Sequence, residues 1–185
     1  MFYVRWAVTV VAFPIGGLLV SLILGNIITI PSAAIAGLIA GSVVGLAQWI
    51  AIRRFVGWQW IVGTAVGFAL GAAASFAVFR GSISLVELSL TGLLTGAIVG
   101  AGQGMAFRRG WRVALLWVIT TALSWSVGWV VSLMVITSNA SNYIVFGSSG
   151  AAVVTVITAL VLRRILGDAV VARTVEAATV VEVER

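Results

Sequence analysis

At 185 residues the chain has room for one compact domain, and 62% of it is hydrophobic against 9% charged, with a mean hydropathy of +1.20. Soluble domains run roughly 45–50% apolar and about 25% charged, so a surface of this composition belongs in lipid. The net charge of +6 comes entirely from arginine, in short groups between apolar runs, which argues against a nucleic-acid face; with no cysteine and no histidine, disulfides, thiolate chemistry and the commonest metal and haem ligands are excluded.

A bilayer core about 30 Å thick needs roughly 20 apolar residues at 1.5 Å rise each. Six runs meet that length: Trp6–Ile28, Ala33–Ile52, Trp58–Phe79, Ser84–Phe107, Trp111–Ile136 and Tyr143–Leu162. The first begins after Met1–Arg5 and is longer than the ~7–15-residue apolar core of a cleaved signal, so it is expected to stay as a first helix. Pro14 inside it should bend it, which a membrane helix tolerates. Gly25-Asn26 with Pro31-Ser32, then Arg53-Arg54, Arg80-Gly81-Ser82, Arg108-Arg109-Gly110 and Ser138–Asn142 supply the five turns.

With the N-terminus in the cytoplasm, Arg5, Arg53, Arg54, Arg108, Arg109, Arg112, Arg163 and Arg164 lie inside and only Arg80 outside. That bias predicts both termini inside, and Trp6, Trp58, Trp60 and Trp111 then fall where an interfacial aromatic belt would sit. Beyond Arg164, residues 165–185 carry every acidic residue except Glu87 and read as a peripheral cytoplasmic tail.

The arginine pairs Arg53-Arg54, Arg108-Arg109 and Arg163-Arg164 recur every 55 residues. At the same period Gly37, Gly92 and Gly147 align, as do Val44, Val99 and Val154. Gly41 meets Gly96, Gly45 meets Gly100 and Gln48 meets Gln103, while the third copy has Ala151, Thr155 and Thr158 instead. Residues 37–54 and 92–109 are identical at nine of 18 positions, too many in register with the arginines to be shared apolar bias. The expected architecture is all-α: six transmembrane helices as three parallel helical hairpins (1–54, 55–109, 110–164), related by an axis along the membrane normal. A closed pseudo-threefold bundle is the compact solution; an open row of hairpins has the same sequence.

The run Gly37-x3-Gly41-x3-Gly45-x2-Gln48-Trp49-x3-Arg53-Arg54, with its echo from Gly92 to Arg109, resembles a motif of uncharacterised bacterial multi-pass membrane proteins that carry G-x3-G-x2-Q-W-x-x-L-R-R hairpins. The resemblance covers the even-numbered helices and departs at Gly104, where tryptophan is expected, and in the third copy, which lacks both glutamine and tryptophan. It implies a bacterial cytoplasmic membrane and no particular activity.

Each motif has a structural and a functional reading. The rows Gly37/Gly41/Gly45, Gly63/Gly67/Gly71 and Gly92/Gly96/Gly100 form small-residue stripes that let helix backbones approach, or else line a conduit. Gln48 and Gln103 lie on the same faces, suited to hydrogen bonds across helices or to contact with a solute. The arginine pairs are topology anchors, or a ring for anionic lipid headgroups. Glu87 is the one acid within the spans and a candidate for ion coupling, although its repeat equivalents Ser32 and Asn142 place it at an outer turn, within reach of Arg80. Trp117, Trp125 and Trp129 on the fifth helix read as packing or lipid contact, or as a seat for a cofactor or partner helix.

Catalysis needs converging acids, bases, nucleophiles or metals, and the spans supply one carboxylate. No enzyme, cofactor or metal site is expected. The leading reading is a structural or accessory subunit packing through its glycine and tryptophan faces, against copies of itself or within a larger membrane complex. The alternative is a small-solute or ion transporter with a path along the pseudo-threefold axis.

Overall fold

The computed structural model describes residues 2–82, 84–135 and 148–183, with the side chains of 168–183 outside the description. The described residues are helical and contain no strand. We label the helices α1 (Phe2–Leu24), α2 (Ile30–Ile52), α3 (Gln59–Phe79), α4 (Leu85–Ala106), α5 (Trp111–Val135) and α6 (Ser148–Val183). All six are long and apolar enough to cross a membrane, the part of α6 concerned being Ser148–Gly167.

The ends follow from local chemistry. Gly25 stops α1 with φ 62°, a conformation glycine adopts at little cost, so this helix lies about one turn earlier than its apolar run suggested. The Thr29 hydroxyl accepts from the Ser32 N–H and the Ser32 hydroxyl accepts from the Thr29 N–H, a reciprocal cap that opens α2 ahead of Pro31 at its second position. Arg80 and Arg108 take left-handed conformations (φ 52° each) just beyond α3 and α4. Pro14 has no N–H to offer the Val10 carbonyl one turn back, and the chain there tightens into a 3₁₀ turn at Thr9–Val11 between the two α-helical parts of α1.

The last helix departs most from expectation. It runs without a break through Arg163 and Arg164 to Val183, and Ile165 and Leu166 are buried with the core. Isoleucine and leucine at those positions continue the buried face of the helix, so the arginines do not end it. The outer turn at Ser138–Asn142, the start of the sixth run at Tyr143 and Gly147 lie outside the described residues.

Helices adjacent in sequence pack against one another, and α1 also packs against α6, which closes the six into a ring. Lipid-sized side chains such as Leu22, Ile23, Leu70 and Leu123 point outward, while Thr64, Thr121, Ser124 and Ser132 are buried. That inversion of the water-soluble pattern is what a bilayer selects. The middle of the ring is filled in layers. Phe13, Phe68 and Trp125 from the odd helices meet Val44, Val99 and Val154 from the even ones. Nearer the arginine-bearing end, Trp6, Trp60 and Trp117 meet Ile52, Phe107 and Leu162.

Candidate functional site: the buried polar ring and the arginine-bearing end

Even-numbered helices contribute little side-chain bulk at their seams, which is what brings the odd-helix aromatics together. A Cβ on Gly37 would strike the Phe68 carbonyl of α3, one on Gly41 would sit 2.6 Å from the Phe68 Cβ, and one on Gly45 2.9 Å from the Thr64 Cβ. Gly92, Gly96 and Gly100 press in the same way on Trp125, Thr121 and Val118 of α5, with Gly96 leaving 2.6 Å to the Thr121 carbonyl oxygen. Gly63, Gly67 and Gly71 of α3 face Gly102, Val99 and Thr95 of α4, the first two at 2.6 and 2.7 Å. Real Cβ atoms essentially never come closer than 3.0 Å. The glycine rows are therefore occupied by this chain's own helices. The closest packing runs from α2 to α3 and from α4 to α5, between consecutive hairpins.

On the same seams, one turn from the arginines, lies a connected set of hydrogen bonds. The Trp60 indole N–H donates to Gln48 Oε1 (3.3 Å), and Gln103 Nε2 donates to that oxygen (3.0 Å) and to the Thr64 hydroxyl (2.9 Å). The Trp117 indole donates to Gln103 Oε1 at 2.9 Å. Across the closing seam, the Trp6 indole donates to the Thr158 hydroxyl and to the Thr155 carbonyl, each at 3.2 Å. Trp6 of α1, Trp60 of α3 and Trp117 of α5 thus donate to positions 158, 48 and 103 of the even helices beside them. The rings also touch: Trp6 and Trp60 centroids are 6.5 Å apart, Trp60 and Trp117 5.9 Å, and Phe107 packs edge-on against the latter two. All three indoles are at most 1% exposed.

This corrects the aromatic-belt expectation. Trp58 and Trp111 are exposed as a belt requires, but Trp6 and Trp60 are core residues. The signal that separates them is present in the sequence: Trp6, Trp60 and Trp117, but neither Trp58 nor Trp111, are followed three or four residues later by a threonine (Thr9, Thr64, Thr121), whose hydroxyl donates back to the tryptophan carbonyl. Trp117, Trp125 and Trp129 are likewise buried.

The arginines gather at one end of the ring but not as an equivalent set. Arg53, Arg54 and Arg108 are exposed. Arg109 donates to the Ile165 carbonyl of α6, and Arg163 donates to the Tyr3 hydroxyl (2.8 Å) with its guanidinium 4.9 Å from the centre of that ring. Glu87 sits in the first turn of α4, where its carboxylate accepts from the Ser82 and Ser84 hydroxyls. Those serines, rather than Arg80, are its partners, because the cap that starts the helix holds them beside it. No group of three or more histidine, cysteine, aspartate or glutamate side chains converges among the described residues.

Such a ring of six apolar helices fits a multi-pass membrane protein. Comparison of the chain with protein-family models, with curated proteins and with solved structures returns no match.

Proposed function

We propose that the chain is a non-catalytic integral membrane protein, a structural or accessory subunit, built as a closed pseudo-threefold ring of three hairpins with both termini in the cytoplasm. The observation that carries this reading is the contact of Trp6, Trp60 and Trp117 inside the ring, with Gln48, Gln103 and Thr158 engaged in holding them. Polar groups that a conduit would turn toward a solute are spent here on joining helices. The threefold reading is supported by the repetition of the indole bond at all three seams and by the burial of Val44, Val99 and Val154 alike. Because the glycine faces are consumed within the chain, contact with a partner or a second copy falls to the outward leucine and isoleucine surface.

The test is flux through the purified protein in liposomes loaded with pH- and ion-sensitive dyes. Permeability equal to that of empty liposomes is expected. A coupled flux that Glu87→Gln abolishes would replace this reading with the transporter. Orientation is checked separately, by single cysteines in this cysteine-free chain. Those at Ser32 and Ser82 should react with an impermeant thiol reagent in intact cells and those at Gly57 and Gly110 should not; the reverse pattern inverts the topology.

A further inference from the structure

The three seams between hairpins differ at their arginine-bearing ends. At the closing seam the even helix carries Ala151, Thr155 and Thr158 where the others carry glycine and glutamine, and α1 meets α6 more sparsely than α2 meets α3 or α4 meets α5. A groove of about 370 Å³ lies there, lined by Tyr3 of α1 and by Leu160, Arg163, Arg164 and Gly167 of α6. A side chain at Gly167 would meet nothing within 4 Å.

We propose that this groove holds the phosphate of an anionic phospholipid. Two guanidinium groups line one small space, and the only acid among residues whose side chains are described, Glu87, is bonded to serines at the other end of α4. Arg163 is already set in place: the Tyr3 ring stacks on it and the Tyr3 hydroxyl takes one of its five N–H groups, leaving the others to a ligand. Arg164 is exposed, and among the described residues no hydrogen bond or ion pair holds it. A planar guanidinium pairs with phosphate through two parallel N–H bonds, so the groove offers a phosphate a fork on a fixed arm and a fork on a free one. The remaining wall selects a lipid over a soluble phosphate. Leu160 lies one helical turn nearer the bilayer centre and is 56% exposed, an apolar track on which an acyl chain leaving the headgroup would lie. The site goes beyond the accessory reading and does not depend on it, since a transporter could carry it equally.

The test uses the full chain, delipidated in mild detergent and titrated with dioleoyl phosphatidylglycerol or dioleoyl phosphatidylcholine, with bound lipid counted by native mass spectrometry. Wild type should retain one phosphatidylglycerol in preference to phosphatidylcholine. Arg164→Gln should lower that retention about fivefold, whereas Arg54→Gln, an exposed arginine outside the groove, should change it less than twofold. Equal loss in the two variants would mean a diffuse field, and equal retention of the two lipids would mean no charge recognition; either overturns the proposal. Millimolar glycerol 3-phosphate displacing the lipid completely would assign the groove to a soluble phosphate and overturn it as well. Should Arg164→Gln fail to fold, Tyr3→Phe carries the test: losing the hydroxyl that orients Arg163 should lower retention at least twofold, and unchanged retention overturns the site.

Discussion

Gln103 is the most connected side chain of the buried ring: it donates to Gln48 and Thr64 and accepts from Trp117 while only 2% exposed. Interhelical hydrogen bonds in membranes average about 0.6 kcal/mol, because the separated helices find other partners. Removing one side of a buried set costs more, since the groups left behind keep their desolvation penalty of about 1–3 kcal/mol. Gln103→Leu leaves the Trp117 indole without its glutamine acceptor, and should destabilise the protein by about 1–3 kcal/mol. Thr158→Val should cost less, because the Thr155 carbonyl still accepts from Trp6. Thermal unfolding in detergent measures both, and a Thr158→Val loss equal to that of Gln103→Leu would contradict the hierarchy. The sequence marks Gln48 and Gln103 by their period, but it does not say which groups they meet. Their partners are tryptophans, and tryptophan suits both a membrane interface and a core, so Trp6 and Trp60 read as belt residues until the returning threonines are noticed.

Among the elements, the glycine-bearing helices carry the strongest expectation. At Gly41 an added side chain meets Phe68 Cβ and, at 2.9 Å, the Ala65 Cα; at Gly96 it meets the Thr121 carbonyl and the Ala122 Cα. Backbone at that distance cannot yield without moving a helix, and overpacking typically costs about 1–3 kcal/mol. Leucine gains about 0.8–1 kcal/mol of helix propensity over glycine, which does not offset it. Gly41→Leu and Gly96→Leu should both lower the melting temperature in detergent; equal or higher stability in both would mean these seams are open. Gly25 behaves differently from what its turn position suggests. It has open space around it, yet its φ of 62° strains any side-chain-bearing residue, so Gly25→Leu should also destabilise, through the backbone. Gly167, helical and unobstructed, is the proper control, where leucine should not destabilise because only the propensity gain remains. Spans of six apolar helices are legible because length and composition alone set them. The end of α6 is not: a charged pair ends a helix only where the following residues have no face to bury, and Ile165 and Leu166 have one.

For the molecule as a whole, the sequence leaves a row and a ring equally open, since a repeat fixes each unit and its successor but not whether the last meets the first. Closure here comes from Trp6 reaching Thr158 and from Tyr3 packing with Arg163. It seals the bundle, fills its middle with aromatic rings, and leaves a groove at the mouth of the closing seam. A row of hairpins would leave α1 and α6 at opposite ends, with no such interior. Cross-linking separates the two directly. Cysteines replacing Tyr3 and Arg163, the only thiols in the chain, are treated in membranes with a short flexible bismaleimide, and the chain between α5 and α6 is then cut at an inserted protease site. The closed ring predicts that the two fragments stay joined, while a pair at Trp58 and Arg163, on helices that do not pack together, joins far less. Fragments that separate although both thiols are shown to be modified would contradict closure, and with it the packed interior on which the account rests.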